Sequence, residues 1–230
     1  MITLALDAST YTGTVAVLKA GRVVAAGEAV MRGRDAEALM PAVATAIEAA
    51  CIEARELTRV VCGTGPGSFT SLRIAASIAK GLALGAGCPL FEVSSLALLA
   101  AATQIERDGN KRVVASDARY LAVLDALRGD AYVGGYSFDA LNTPSVILPE
   151  RIVRQADVPS VAASIGATTI GPGQRIDVGP HARAALALDA LITQPVDLAG
   201  WEPRYGRKAE AQSRWEATHG QPLPQSGTHT

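Results

Sequence analysis

The residues whose types could hold an anion or a metal-bound phosphate fall in two short segments. They are Asp7, Ser9 and Thr10 after the first apolar run, and Gly65, Gly67 and Ser68 before a helical pattern. A carboxylate at a bend between strands can hold magnesium-bound phosphate, and the N–H groups of a glycine-rich loop at the start of a helix can hold an anion. One hypothesis is therefore phosphate chemistry at the Asp7 turn and the Gly65–Ser68 loop.

The same residues also have a structural explanation. Glycine lets a loop pass close to a neighbouring backbone, and Asp, Ser and Thr favour turns. No Gly-Lys-Ser or Gly-Lys-Thr follows the loop, so it is not a P-loop, and Ser68 lacks the Gly-x-Ser-x-Gly frame of a nucleophile elbow. A phosphotransferase would also need a second carboxylate and a glycine-rich adenosine loop, for which Gly171–Gly173 is a thin candidate. We favour the structural explanation.

The remaining polar residues do not form a catalytic or metal-binding pattern. One hairpin segment carries two carboxylates with an arginine, comprising Asp125, Arg128, Asp130 and Tyr132. Such a group is more often a turn salt bridge than a catalytic site. The three histidines are scattered, and the three cysteines show no CxxC spacing. The sequence therefore predicts no catalytic residues, no metal site and no disulfide framework.

Charge and composition limit the partners that the chain could bind alone. The 21 basic and 22 acidic residues give a formal net charge of −1, with no basic run of the kind that holds duplex nucleic acid. Any role on RNA is therefore expected to be shared with a partner. No apolar run approaches the ~20 residues of a membrane span, and Met1-Ile2-Thr3 lacks the basic start of a signal peptide. We expect a cytoplasmic protein that does not bind membranes.

The pattern of apolar runs predicts the elements that position these residues. A three-stranded meander, with Asp7 at its first bend, is followed by alternating helices and strands. The predicted elements are strands Ile2–Leu6, Gly13–Leu18, Arg22–Val30, Thr58–Cys62 and Pro89–Val93, and helices Asp35–Cys51, Thr70–Leu84 and Ser94–Ala102. Pro41 predicts either a kink or the true first turn of its helix. A mixed sheet with helices on its faces is an α/β design.

The second half partly repeats the first with fewer helices. Its predicted strands are Arg112–Ser116, Leu121–Leu127, Tyr132–Phe138, Val146–Leu148 and Val161–Ile170, and its predicted helix is Pro180–Ile192. These patterns predict a domain at 1–104, a smaller domain at 105–206, and a helix remnant with a flexible tail at 207–230. The tail is rich in Pro and Ser and has little to bury.

The first two helices present more apolar surface than one sheet needs. A helix packed on a sheet needs one apolar face of about 100°, and the second helix is apolar around most of its circumference. Its far side is therefore either sandwiched inside the monomer or in contact with a partner. The residues predicted to form a partner interface are Ala36, Leu39, Met40, Val43, Ile47, Leu72, Arg73, Ala75, Ala76, Ile78, Ala79 and Lys80.

Segments along nearly the whole chain resemble the TsaB (YeaZ) family. They are Ile2–Thr10, Gly65–Ile74 with Ala79–Ala83 behind it, Val93–Leu96, Asp125–Tyr132 and Glu202–Arg207. The segment Gly65–Ile74 is highly characteristic of that family. The family often has His-Ser-Glu near the start of its first helix, and of these residues only Glu37 is matched here. From Phe138 to Asp197 the match is weak.

The resemblance implies two actin-like (ribonuclease-H-like, ASKHA) lobes with mixed five-stranded-type sheets flanked by helices. It implies a non-catalytic scaffold that binds the transferase TsaD through its first two helices, with the small ATPase TsaE joining the complex. ATP and magnesium would be used by the complex, with no cofactor bound tightly here. The complex would modify tRNA at A37, and tRNA would be reached only through the complex. Without TsaD, the chain would form a homodimer.

Two other functions remain as alternatives. One is a small actin-like-fold ATPase or phosphotransferase that uses the Asp7 turn and the Gly65–Ser68 loop. The other is a glycopeptidase, which the sequence disfavours because no nucleophile has a base beside it.

Overall fold

Five strands in the first 93 residues form one mixed sheet. The computed structural model describes residues 1–31, 38–105, 118–206, 215 and 218–220. The strands are β1 (Ile2–Asp7), β2 (Thr12–Lys19), β3 (Arg22–Val30), β4 (Arg59–Gly63) and β5 (Leu90–Val93), in the order β3-β2-β1-β4-β5. The first three are antiparallel neighbours, as the meander predicted, and β4 and β5 run parallel to β1. Asp7 is the last residue of β1, opposite Thr14 of β2.

Two helices, α1 (Leu39–Ala49) and α2 (Phe69–Ala86), cover one face of this sheet. Pro41 lies in the first turn of α1, where a missing N–H is tolerated. The first-turn alternative for Pro41 is therefore confirmed, whereas the predicted start of this helix at Asp35 lies outside the described residues. Helix α2 ends two residues later than predicted, because Gly85 stays helical and Gly87, at φ +64°, forms the left-handed cap.

A third helix, α3 (Ser95–Ala101), lies on the opposite face of the sheet with every residue buried. Ser94 caps it as predicted, since the Ser94 Oγ accepts hydrogen bonds from the backbone N–H groups of Leu96 (3.1 Å) and Ala97 (3.3 Å). One hydrophobic core joins α3 to both sheets, with Ala5 from the first sheet and Leu124 from the second. The two halves therefore share a buried core.

The second sheet contains four strands in the described residues instead of the five-stranded type predicted. They are β6 (Ala118–Asp125), β7 (Asp130–Phe138), β8 (Pro144–Arg154) and β9 (Thr168–Ile170), in the order β8-β7-β6-β9. The predicted strand Arg112–Ser116 lies outside the described residues. Strand β9 runs parallel to β6, and the other neighbours are antiparallel. The prediction of an α/β fold with two mixed sheets flanked by helices is confirmed.

Two predictions for the second half need correction. The segment Val161–Ile170 carries a strand as predicted, but only as the short β9, and its first residues belong to a helix, α4 (Val158–Ser164), that was not predicted. Val158 and Ala162 are buried in a core cluster that also contacts Ile165, at the three-and-four spacing of a helix. The predicted helix Pro180–Ile192 consists of two 3₁₀ helices, Ala182–Ala187 and Asp189–Leu191. The alanines of the first, Ala182, Ala184, Ala185 and Ala187, are all buried, so tertiary packing overrides their α-helical propensity.

The domain boundaries at 104 and 206 stay a prediction, and most of the segment 207–230 lies outside the described residues. Among the helices that the structure describes, none combines the length and the apolar character needed to cross a bilayer.

Candidate functional site

The Asp7 turn is a buried and fully occupied polar site. Asp7 is 0% exposed, and its Oδ1 accepts hydrogen bonds from the Ser9 backbone N–H (3.0 Å) and the Ser9 Oγ–H (2.7 Å). The Ser95 Oγ–H donates to the Asp7 Oδ2. Burial raises the pKa of the Asp7 carboxyl, and the hydrogen bonds from Ser95 and Ser9 act in the opposite direction. Both carboxylate oxygens are therefore used within the chain.

The glycine-rich loop closes onto this turn. The Ser68 N–H donates to the Ser9 carbonyl (2.8 Å), and the Gly65 N–H donates to the Ser95 Oγ (3.0 Å). A Cβ on Gly67 would overlap the Ser9 carbonyl, so only glycine allows this approach. The structure thus brings the two predicted segments together as a closed joint, which we define as Asp7, Ser9, Gly65, Gly67 and Ser95.

The other residues of the two anion-site segments make local contacts. Thr10 Oγ1 lies 3.1 Å from the Thr12 carbonyl and accepts from the Thr12 N–H (3.2 Å). Ser68 Oγ lies 3.0 Å from the Ser71 Oγ. Gly171 packs against the Val123 carbonyl of β6. Within the described part of the chain, no three His, Cys, Asp or Glu side chains cluster as a metal site would require.

Two polar clusters in the structure were not predicted from the sequence. Ser94 and Tyr136 both donate hydrogen bonds to the Glu150 Oε1, the latter at 2.7 Å, and so link the start of α3 to β7 and β8. Burial raises the pKa of Tyr136, and the Glu150 charge adds to this effect. The second cluster centres on Glu92, which accepts from the Trp201 Nε1–H (2.7 Å) and pairs with Arg204.

The segment 201–206 packs along α2 and the closed joint. The Arg204 N–H donates to the Thr64 carbonyl (2.7 Å), and a Cβ on Gly65 would lie 2.6 Å from the Arg204 carbonyl. The Tyr205 ring lies 4.3 Å from the Phe69 ring at the start of α2. The segment 201–206 therefore packs against both the closed joint and the start of α2.

The predicted hairpin site is an ordinary turn where the structure describes its contacts. The Asp125 Oδ1 accepts from the Leu127 N–H (2.7 Å), and Leu127 and Arg128 both have positive φ. The Tyr132 Oη–H donates to the Tyr205 carbonyl (3.3 Å), which connects this hairpin to the segment 201–206.

The structure divides the predicted partner interface into an inner and an outer set. Six of the twelve residues are buried within this chain and cannot be surface contacts: Leu39, Val43, Leu72, Ala75, Ala76 and Ala79. Those at least partly exposed are Met40, Ile47, Arg73, Ile78 and Lys80, and Ala36 lies outside the described residues. The sequence did not separate the sets because α2 is apolar around most of its circumference.

The side of α2 that faces away from the sheet is open and low in charge. Its residues recur at three-and-four spacing, which places them on one side of the helix. They are Thr70, Ile74, Ser77, Ile78, Gly81 and Gly85, and we call this set the outer face of α2. All six are exposed or half-buried. Among the residues that the structure describes, an added Cβ on Gly81 or Gly85 would meet nothing within 4 Å, so none of them packs on either glycine.

A groove runs between α1 and the outer face of α2. Met40 and Pro41 line it from α1, and Phe69, Thr70, Arg73, Ile74, Ser77 and Ile78 line it from α2. Its volume is about 690 Å³, which is within the range of sites that hold a ligand or a helix side-chain cluster. Its floor is mostly apolar, and a cation, Arg73, lies at its rim.

Comparison with known proteins gives matches over most of the chain. The sequence model of TsaD, tRNA N6-adenosine threonylcarbamoyltransferase, matches residues 32–173. The chain is 28% identical to the tRNA threonylcarbamoyladenosine biosynthesis protein TsaB of Bacillus subtilis, over 94% of this chain and 98% of the relative. It is 33% identical to the protein of that name from Escherichia coli, over 65% of this chain and 63% of the relative.

Solved structures with the same arrangement are similar as well. A crystal structure of a Pseudomonas aeruginosa protein, described as uncharacterized with similarity to peptidase YEAZ, has a TM-score of 0.73 and 28% sequence identity. That similarity covers 90% of this chain and 99% of the other. A second structure, YeaZ from Pseudomonas aeruginosa, has a TM-score of 0.71 and 28% identity, over 89% of this chain and 99% of the other.

Proposed function

Since this chain belongs to the family of TsaD, tRNA N6-adenosine threonylcarbamoyltransferase, and within it to the TsaB (YeaZ) group, we propose that it acts in tRNA threonylcarbamoyladenosine biosynthesis as a non-catalytic scaffold. In this proposal α1 and the outer face of α2 bind a TsaD subunit. TsaE, ATP, magnesium and tRNA engage the resulting complex, and the chain self-associates through the same face when TsaD is absent.

The observation that carries this proposal is the composition of the outer face of α2. Glycine inside a helix costs roughly 0.5–1 kcal/mol relative to alanine, and no contact from the described part of the chain compensates that cost at Gly81 or Gly85. Glycine on a helix surface lets a second helix approach closely. Ile74 and Ile78 on the same face supply apolar area for such a contact. A partner helix accounts for both features.

The groove supports the same conclusion from the side of α1. Met40 is 44% exposed although it lies beside the buried Leu39, and it lines the groove together with Ile78. Burial of exposed apolar side chains contributes roughly 25 cal/mol per Å². Several such side chains in one groove can offset part of the entropy lost on association.

The closed joint argues against nucleotide chemistry by this chain alone. A magnesium-bound phosphate would need an accessible carboxylate, and Asp7 is fully buried with both oxygens occupied. An anion would need free backbone N–H groups, whereas those of Gly65 and Ser68 donate within the chain. The joint therefore supports a structural role for the two segments.

The serines with neighbouring carboxylates do not favour hydrolysis either. Ser95 is 0% exposed beside Asp7, and no substrate can reach it. The Ser94 Oγ contacts Glu150, but it also accepts two backbone N–H bonds as the cap of α3. A nucleophile needs a free lone pair directed at its substrate, and these contacts give Ser94 a capping role.

Binding to TsaD provides the test. We expect Met40→Glu together with Ile78→Glu to weaken TsaD binding by at least about a hundredfold, because each change buries a carboxylate in an apolar contact. Titration calorimetry with purified TsaD measures the affinity. Both residues are at least partly exposed in the monomer, so circular dichroism and the thermal midpoint should stay close to those of the unmodified chain.

A matched control uses an exposed apolar residue far from the groove in sequence. Leu141 is 83% exposed in the turn between β7 and β8, and Leu141→Glu should leave TsaD affinity unchanged. Unchanged TsaD affinity in the folded double variant would refute the interface. Tight magnesium-dependent ATP binding with turnover by the isolated chain would refute the scaffold function.

A further inference from the structure

Two cations, Arg73 and Lys80, lie beside the outer face of α2. Arg73 and Lys80 are seven residues apart in α2, which is two helical turns, or roughly 10 Å along the axis. Among the described residues, neither side chain has an acidic group within ion-pairing distance. Both lie on the same edge of the outer face, on either side of Ser77.

Each cation rests on an aromatic ring. The Arg73 guanidinium carbon is 5.3 Å from the centre of the Phe69 ring, which itself contacts the Tyr205 ring. The Lys80 ammonium is 5.8 Å from the centre of the Trp201 ring, and the Trp201 indole is fixed by its hydrogen bond to Glu92. Such contacts attract the cation and limit its rotamers. A partner that pairs with it therefore loses less side-chain entropy.

From these contacts we propose that the element seated on the outer face of α2 is a partner helix with carboxylates about two turns apart, facing Arg73 and Lys80. This inference rests on the proposed function and adds the charge that TsaD must present there. The apolar stripe of such a helix would cover Ile74 and Ile78, and its acidic edge would pair with the two cations. Arginine is one of the residue types enriched at binding hot spots, and a charge at the rim of an interface governs the salt dependence of binding.

Charge also separates this partner from two other occupants. A second copy of the chain, which pairs through the same surface when TsaD is absent, would bring four cations to one interface and should therefore bind this surface more weakly than an acidic helix does. A nucleic acid would be held by an extended basic surface, whereas here two cations lie on one edge of an apolar helix face, and only Arg73 lines the groove, in a chain of net charge −1. A helix with an acidic edge and an apolar stripe would pair with both cations and also cover the groove.

The experiment measures the affinity for TsaD of three proteins, each at about 50 mM and at about 300 mM salt. They are the unmodified chain, a test variant with Arg73→Gln and Lys80→Gln, and a control variant with Lys19→Gln and Arg154→Gln. Lys19 and Arg154 are exposed residues outside α1 and α2, so the control has the same net charge as the test variant. We expect the test variant to bind about tenfold or more weakly at low salt and to lose most of its salt dependence. The control should match the unmodified chain.

Further variants and outcomes make the result decisive. Arg73→Lys should retain most of the affinity, because it keeps the charge over Phe69, and this separates charge from packing. Equal affinity and equal salt dependence of the test variant and the unmodified chain would overturn the inference while leaving TsaD binding intact. If the unmodified chain does not bind TsaD, the proposed function itself fails. A test variant that loses only tRNA binding, or only self-association in sedimentation, would also overturn the inference.

Discussion

The closed joint and the outer face of α2 adjoin each other in the chain and use their residues in opposite ways. The joint contains ionisable and hydroxyl side chains, and these bind one another: Asp7 accepts hydrogen bonds from Ser9 and Ser95. Gly67 packs against the Ser9 backbone. The outer face of α2 contains glycine and isoleucine, which carry no reactive group, and these residues are exposed or half-buried. Accessibility, and not residue type, therefore distinguishes the surface that we propose binds TsaD from the closed joint.

The space around the glycines differs between the two regions. At Gly67 the neighbouring backbone occupies the space of a side chain, whereas at Gly81 the space is empty. The same substitution should therefore have opposite effects on stability in the two regions, and the following predictions test this contrast.

The largest effect is expected for Gly67→Ala. Its Cβ would overlap the Ser9 carbonyl, and the joint would have to open to admit it. We expect the free energy of unfolding to fall by about 2–3 kcal/mol, measured by urea denaturation. Gly179→Ala is the control, because its Cβ would meet nothing within 4 Å. A Gly67→Ala protein as stable as the control would show that the joint is not closed.

The second prediction concerns the buried charge of Asp7. Burial raises the pKa of its carboxyl above the 3.8 of a freely solvated aspartate, so as the pH rises the folded state keeps this proton to a higher pH than the unfolded state does. Its contribution to stability is therefore fully present below pH 3.8 and is lost as the pH rises through the folded-state pKa. Asp7→Asn removes this dependence.

The measurement compares unfolding midpoints of Asp7→Asn and the unmodified chain between pH 4 and pH 8. We expect the difference to shift in favour of the variant as the pH rises. A difference that is constant across this range would mean that Asp7 is as solvated in the folded state as in the unfolded state, and would contradict the burial that separates the joint from an anion site.

The smallest effect on stability is expected for Gly81→Ala. Alanine is a better helix former, and its Cβ has room, so the free energy of unfolding should rise by about 1 kcal/mol. The same Cβ would separate α2 from a partner helix, so TsaD affinity should fall by about tenfold. Urea denaturation and calorimetry measure the two changes, with Gly179→Ala again as control. A gain in stability without a loss of affinity would remove Gly81 from the interface.

Much of the first sheet could be predicted from the sequence because its signals are local. The meander from Ile2 to Val30 follows from short apolar runs separated by turn residues, and Ser94 caps α3 as its residue type suggests. The second half was harder. Val158, Ala162 and Ile165 follow helical spacing, but the β-branched residues beside them favoured a strand, and the helix was missed.

The candidate site could be predicted only in part. Periodicity located α1 and α2, yet it could not tell which side of an almost uniformly apolar helix meets the sheet, so Leu72 and Ala79 were assigned to the interface although they are buried. The support from Trp201 and Arg204 depends on contacts more than 100 residues away in the chain. A charged Glu92 within the apolar run Leu90–Val93 was the one sequence signal of that contact.

Reconstitution of tRNA threonylcarbamoyladenosine formation with TsaD and TsaE tests the central claim most directly, with the chain added as Asp7→Asn or as Ile78→Glu. If the outer face of α2 binds TsaD and the closed joint has only a structural role, the Asp7→Asn chain sustains product formation as the unmodified chain does. The folded Ile78→Glu chain does not. Full activity with Ile78→Glu and none with a folded Asp7→Asn protein would contradict the account.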